Sequence, residues 1–295
     1  MKAGETNMTR TDQIERPSQP IPERSGLSYA EFAEEYLFPN RPVIITDGLK
    51  GWKAVGKWTP GFFRERYRNK TLTIDGRSYA MTEFIDLVEK SGAGQVAPYF
   101  RNDQVREVFP DLLEDLLPAP PYILPNWFRG PLYPSAGREA EIYIGGTGGQ
   151  FPVVHYDGNS THAFLGQIYG EKEAILYSPA DTPRMYPKDR PRNLSHITNI
   201  DNVDTTKFPL FLQVVAHRGV LKPGNLIFIP DRWWHTARML SASITISYNV
   251  ANRSNWSRVT DEIHYKLSGS HPALAPIVPA YMTMLGWMQS LVDLV

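Results

Sequence analysis

Two textures of apolar and polar positions divide the chain. Up to about residue 95, apolar residues recur at helical spacing in LSYAEFAEEYLF, TPGFFRERYRN and MTEFIDLVEK, which predicts three amphipathic helices. Ser28 followed by Glu31 has the form of a capping box opening the first helix, and Pro39-Asn40 ends it. RPVIITDG and TLTIDG read as short strands, the second closed by a turn at Asp75-Gly76. From residue 140 the chain turns to short strands: EIYIGG, FPVVHYD, AFLGQIYG, EAILYSP, FLQVVAHRG, GNLIFIP, WHTARML and SASITISYNVA. Gly, Pro and Asp turns separate them, and no helix is predicted between them. Such regular spacing predicts an antiparallel sandwich or barrel, most commonly closed as a jelly roll. Gln213 to Gly219 and Gly224 to Pro230 alternate only loosely, as strands buried on both faces do.

The flanks differ from this β block. Residues 1–25 are polar and Pro-containing and read as a flexible arm; residues 95–135 are rich in Pro and aromatics and read as loop with one short acidic helix, a composition that suits a wall around a pocket. SNWSRVTDEIHYKL returns to helix. Ala273 to Val292 runs twenty residues without a charge, the length of a membrane span. Pro276, Pro279, Thr283, Gly286, Gln289 and Ser290 dilute its hydrophobicity, so it is predicted as a helix packed on the domain or on a second subunit rather than as an anchor. The division is therefore an arm over 1–25, a main domain over 26–260 and a helical segment over 261–295.

Composition narrows the chemistry. Lys plus Arg and Asp plus Glu number 31 each, so no net field draws in nucleic acid or an anionic membrane, and neither partner is expected. Cysteine is absent, which excludes disulfides, thiolate metal sites and a cysteine nucleophile. The N-terminus lacks the apolar core of a secretory signal, and a cytoplasmic location is expected.

Any metal must then be held by His, Asp or Glu. His155 and Asp157, two apart in a strand, would project from one face. Alone the pair is as consistent with a structural His-carboxylate contact. His235, in LIFIPDRWWHTARML at the start of a later strand, adds a second imidazole, and two imidazoles with one carboxylate form the ligand set of non-haem Fe(II) oxygenases. Lys172, in IYGEKEAIL, falls in an apolar setting where a lysine needs an anion, a role the far carboxylate of 2-oxoglutarate would fill.

Together His155-x-Asp157, GQIYGEK, PDRWWH and ITISYN resemble the Jumonji-C (cupin-like) Fe(II)/2-oxoglutarate dioxygenases, nearest to the branches that hydroxylate asparaginyl or lysyl side chains of proteins. The likeness covers roughly residues 28 to 260. It implies a mainly β fold, a double-stranded β-helix (jelly roll) with N- and C-terminal helices. It also implies Fe(II) held by His155, Asp157 and His235, with 2-oxoglutarate and O2 as co-substrates. Lys172 matches the residue that pairs with 2-oxoglutarate, Tyr99 resembles a tyrosine that hydrogen-bonds it, and Thr161, Ser247 and Asn249 match positions lining the same pocket. Leu165 and Pro152 depart from the pattern, standing where some branches carry an asparagine and a serine or threonine.

For substrate contacts the sequence offers Arg101, Asn126, Trp127 and Arg129 in the Pro-rich stretch, His162 beside Thr161, and Trp234 as pocket wall with Trp233 in the core. Loop solvation for the first four and a hydrogen-bonded strand histidine for His162 are the plainer readings. The implied activity is hydroxylation of a protein or peptide side chain, releasing succinate and CO2. The alternatives are the same chemistry on a free or carrier-bound small molecule, and a non-catalytic cupin. Related asparaginyl hydroxylases dimerise through C-terminal helices, and Met282, Leu285, Trp287, Met288, Leu291 and Val292 offer a similar apolar surface for a homodimer.

Overall fold

Strands buried on both faces need cover on both sides, and the architecture supplies it. The computed structural model describes residues 17–92, 94–129 and 140–292. Strands β1 (Ser18–Pro20) and β2 (Glu23–Arg24) lead into helix α1 (Tyr29–Phe32), which continues as a wider turn over Ala33–Leu37. Ser28 and Glu31 close the capping box, side chain to backbone in both directions. Strand β3 (Val43–Ile45), a kinked turn α2 (Ala54–Lys57), α3 (Pro60–Arg66), the hairpin β4 (Thr71–Ile74) and β5 (Arg77–Ala80), and α4 (Met81–Lys90) follow. Asp75 and Gly76 both take positive φ, 48° and 79°, as a tight hairpin turn requires. Then come β6 (Phe100–Gln104), the single turn α5 (Val105–Val108) and the acidic 3-10 segment Pro110–Leu116.

The β block comprises β7 (Glu141–Gly145), β8 (His162–Tyr169), β9 (Lys172–Tyr177), β10 (Ala216–Leu221), β11 (Leu226–Ile229), β12 (Trp234–Met239) and β13 (Ser243–Val250). Helices α6 (Trp256–Ser270) and α7 (Val278–Val292) close the chain. Among the described residues a four-stranded sheet, β1-β10-β9-β12, faces a seven-stranded one, β2-β3-β11-β8-β13-β7-β6. This is the jelly-roll arrangement. Several expectations change. Phe151 to Asp157 forms no regular strand, only isolated bridges at His155, and FLQVVAHRG is split into a 3-10 turn at Pro209–Gln213 and β10. A second 3-10 segment, Pro179–Met185, also interrupts the block. Residues 18–24, expected in the flexible arm, are paired into the sheets, β1 parallel to β10 and β2 parallel to β3.

Side-chain parity assigns each face. On β8 and β11, Phe164, Ile168, Leu226 and Phe228 point outward into a core shared with Phe32, Trp58, Phe63 and Phe84 of the N-terminal helical layer. Their neighbours Ala163, Ile227 and Ile229 point inward and meet Ala174, Leu176 and Leu221 of the opposite sheet, filling the interior between β11 and the β9–β10 pair. Ile175, Tyr177 and Trp234 face the other way, into a cluster with Tyr156, Met185 and Phe211 from the excursion between β9 and β10. At the turn before β9, Gly170 has φ 69° and its position would bring a Cβ within 1.8 Å of the Ala242 carbonyl oxygen, so only glycine fits. No helix among the described residues is long and apolar enough to cross a membrane.

Phe32 joins the helical layer to the sheet, edge-on to Tyr122 and Phe228 at 5.2 and 5.0 Å. Phe32→Ala should lower unfolding stability by about 3–5 kcal/mol. Chemical denaturation is the check, with an unchanged m-value expected if the sandwich itself persists.

Candidate metal centre

The sandwich interior is apolar where β9, β10 and β11 line it, and the titratable groups stand beside that hydrocarbon, His235 opposite Leu176 and Lys172 opposite Leu221. His155 and His235 exchange backbone hydrogen bonds, His155 N–H to the His235 carbonyl at 3.1 Å and the reverse at 2.6 Å. Directly opposed residues in such a pair place both side chains on the same face, and the two ring centroids stand 4.4 Å apart. His235 Nδ1 donates to the Trp233 carbonyl at 2.9 Å, and His155 Nδ1 lies 3.4 Å from the Val153 carbonyl. A carbonyl can only accept, so these contacts keep the proton on Nδ1 and leave Nε2 of each ring as a lone-pair donor. Burial, and after it the neighbouring His235, hold the His155 imidazole well below its ordinary pKa, in the neutral form that ligates metals. Asp157 follows on the same loop. Ligand atoms of His155, Asp157 and His235 all lie within 4.8 Å of one another. Two imidazole nitrogens and a carboxylate, with no thiolate in the chain, suit Fe(II), and the residues present fit that ion.

Lys172 lies on the same inner face. In the β9–β12 register His235 stands opposite Leu176 and Lys172 opposite Met239, four residues deeper, or about 13 Å at ~3.3 Å per residue. Its ammonium donates to the Tyr99 hydroxyl at 3.5 Å and stands 5.8 and 5.7 Å from the ring centres of Tyr99 and Tyr143. Burial pushes the Lys172 pKa down to about 7. The same burial raises the Tyr99 and Tyr143 phenols, so both stay protonated. Thr161 donates to Asn249 Oδ1 at 2.9 Å, and Ser247, buried, stands opposite Leu165 and Glu141 in the ladder.

Three further side chains belong to this interior and were missed from sequence. Phe151 stacks on His155 at 4.6 Å and 19°, and Tyr99 meets Phe151 edge-on. Tyr143 donates to buried Glu141 at 3.0 Å. The two-residue period of EIYIG carried that signal, since Ile142 and Ile144 lie in the outer core.

Several expected substrate residues are engaged elsewhere. Trp234 is wholly buried in the outer cluster and donates to Thr182; one residue from an inward-facing histidine, it must point outward, so it is core and not pocket wall. Trp233 is core too. His162 has no exposed surface; its Nδ1 accepts from the Asp231 N–H at 3.0 Å, its Nε2 bonds Ser254, and burial drives its pKa down to about 3. Asn126 serves the backbone, donating to the Asn249 carbonyl and accepting from Phe128 and Ala251. Trp127 packs on Trp256. Arg101 pairs with Asp75 and donates to the Tyr99 carbonyl, bracing Tyr99. The side chain of Arg129 lies outside the described residues. A groove of about 630 Å³ between the N-terminal segment, Tyr36, Arg41 and Trp233 shares no residue with the triad or with Lys172.

The family model for the cupin-like domain matches residues 29–261. The chain is 29% identical over 247 residues to lysine-specific demethylase 8 of Xenopus tropicalis, covering 77% of this chain and 52% of the relative. Against lysine-specific demethylase 8 of Danio rerio it is 30% identical over 264 residues, covering 81% and 60%. To tRNA wybutosine-synthesizing protein 5 of Gallus gallus it is 22% identical over 285 residues, covering 86% and 82%. The chain thus spans only about half to three fifths of the demethylase-named relatives. It belongs to the cupin-like, Jumonji-C domain family.

Lys172 gives a prediction independent of any ligand. Its folded pKa of about 7 lies below the unfolded 10.5, so the fold disfavours the charge: the penalty is complete below pH 7 and disappears as pH rises to 10.5. Lys172→Met should remove that upward slope of stability between pH 7 and 10.5, read from thermal unfolding in matched buffers.

Proposed function

We propose that the chain is an Fe(II)- and 2-oxoglutarate-dependent oxygenase that hydroxylates a C–H bond of a protein or peptide side chain. The observation that carries this reading is the convergence of His155, Asp157 and His235, with a buried lysine deeper on the same face. When bound, Fe(II) and 2-oxoglutarate supply the oxidising chemistry: the co-substrate is converted to succinate and CO2, and one oxygen atom of O2 enters the substrate.

The chain's own residues prepare that site. His155 and His235 would hold the ion through Nε2 and Asp157 through a carboxylate oxygen, leaving other positions open to ligands. Lys172 would take its proton when the distal carboxylate of 2-oxoglutarate arrives, and the Tyr99 hydroxyl would add a donor beside it. Phe151 covers one face of His155 and keeps water from it. Thr161, Ser247 and Asn249 supply the polar wall. Hydroxylation of a carbon attached to nitrogen would release that carbon, and names among the relatives include lysine-specific demethylases.

The test is Fe(II)-dependent succinate release from 2-oxoglutarate across peptides carrying asparaginyl, lysyl and arginyl side chains, carrier-bound amino acids and tRNA. A peptide raising turnover supports the reading; turnover raised only by a small molecule or by tRNA would replace the substrate class. Absence of 2-oxoglutarate turnover with every substrate would overturn it. Lys172→Met should weaken 2-oxoglutarate binding by about 10- to 150-fold, the loss of one charge-assisted contact worth about 1.5–3 kcal/mol. In the wild type the affinity should fall as pH rises above 7, because the proton on Lys172 must then be taken up on binding, and calorimetry in buffers of different ionisation enthalpy would show that uptake.

A homodimer formed through α7 is part of the proposal. Met282 and Leu285, expected at the interface, pack inward against Trp256, while Trp287, Met288 and Leu291 point out beside Ile277, Tyr281 and Met284. The side chain of Val292 lies outside the described residues. Trp287, 66% exposed, is central to this stripe, and Trp287→Glu should convert a dimer to a monomer in light scattering. An unchanged mass would remove α7 from the interface.

A further inference from the structure

Helix α6 has two unlike sides. Trp256, Val259 and Ile263 pack on α7. Arg258, Glu262 and Lys266 recur every four residues along another face, and each reaches a segment next to the metal triad. Arg258 forks onto both oxygens of Asp231, which is 1% exposed and begins the turn that delivers His235. Glu262, equally buried, accepts from Arg192 Nε and Nη2 at 3.0 and 2.8 Å. The next residue, Asn193, brackets Tyr156 from both sides: its Nδ2 donates to the Tyr156 carbonyl at 2.9 Å and its carbonyl accepts the Tyr156 N–H at 3.1 Å. Lys266 donates to the Gly158 carbonyl and, at 2.7 Å, to Asn159 Oδ1. At the head of the helix, Asn255 Nδ2 donates to the Ser160 carbonyl at 3.1 Å.

The backbone on both sides of the centre needs such restraint. Ser160 and Arg232, neither a glycine, hold positive φ of 51° and 60°, a conformation that persists only where surroundings enforce it. Arg232 Nε reaches Ser160 Oγ at 3.2 Å, so the two strained turns brace each other. A helix that merely covered the fold would bury apolar side chains here; this one buries an acid and spends its polar face on the loop carrying Asp157.

We infer that α6 is a positioning element of the metal centre, with Lys266 the positioning residue that fixes the Asp157 loop. The inference rests on the metal-binding reading above. Glu262 and Lys266 lie beyond residue 261, where the family match ends, so part of the support for the centre comes from outside the matched domain.

The test compares the full chain with Lys266→Met, Lys266→Arg and, as a control, Lys207→Met, whose side chain is 74% exposed and pairs with nearby Asp204, three residues away. Anaerobic Fe(II) affinity by calorimetry, thermal midpoint, and hydrogen exchange of residues 157–160 in metal-free protein are measured on each. Lys266→Met should weaken Fe(II) binding by about 10- to 100-fold, the usual effect of losing a group that orients a ligand. It should also speed exchange in 157–160, leave the midpoint near that of the wild type, and be rescued by Lys266→Arg. Unchanged affinity and exchange in Lys266→Met, or an affinity loss equalled by Lys207→Met, would overturn the inference. A wild type that binds no Fe(II) fails the metal reading itself, a result separate from a wild type that binds and a Lys266→Met variant that binds as well.

Discussion

Two backbone hydrogen bonds, exchanged between His155 and His235, are the constraint on which the candidate centre depends. They join residues eighty apart in sequence, fix both imidazoles on the inner face, and set the register that puts Trp234 outside and Lys172 inside. A slip of one residue would invert every side chain of β12, exchanging His235 for Trp234. The outer cluster opposes that slip. Trp234 fills it together with Tyr156 and Tyr177, and moving an indole inward while exposing that cavity would forfeit several kcal/mol, on the order of 3–5 for a lost tryptophan.

The sandwich interior is divided across its strands. Ile227, Ile229, Leu176 and Leu221 line the side formed by β9, β10 and β11 with hydrocarbon, so most polar groups gather toward β12, β13 and β7. Those groups are satisfied locally: Gln167 donates to Ser243 and to two main-chain carbonyls and accepts from Thr245, Tyr143 donates to Glu141, and Thr161 to Asn249. Lys172 differs. Its hydrogen bond among the described residues is to a phenol, and burial in that setting depresses its pKa. A site that destabilises its own lysine is ready to gain free energy from an arriving carboxylate, the physical basis for assigning it a co-substrate.

Much of this was legible in the sequence because periodicity and metal chemistry are local or type-limited signals. The strand texture after residue 140, the capping box at Ser28 and the Asp75-Gly76 hairpin follow from spacing alone. The candidate triad was legible because His155 and Asp157 stand two apart, His235 adds a second imidazole, and the motifs around them resemble those of the family. What failed needed the third dimension. FPVVHYD looked like a strand, but only single bridges tie it to β12 and to Leu194. His162 and Asn126 sit beside plausible site residues in sequence, yet their polar atoms serve the Asp231 turn and the Asn249 and Ala251 backbone. The polar stripe of α6 reads as an ordinary solvated face until the loop at 157–160 is seen against it.

The most direct measurement is an anaerobic titration of metal-free protein with Fe(II) and then 2-oxoglutarate, followed by the visible charge-transfer band of the chelate, with His235→Ala alongside. The account predicts a saturable band in the wild type at one ion per chain and none in His235→Ala. A wild type that gives no band, or a variant that keeps it, would mean that His155, Asp157 and His235 do not share one iron.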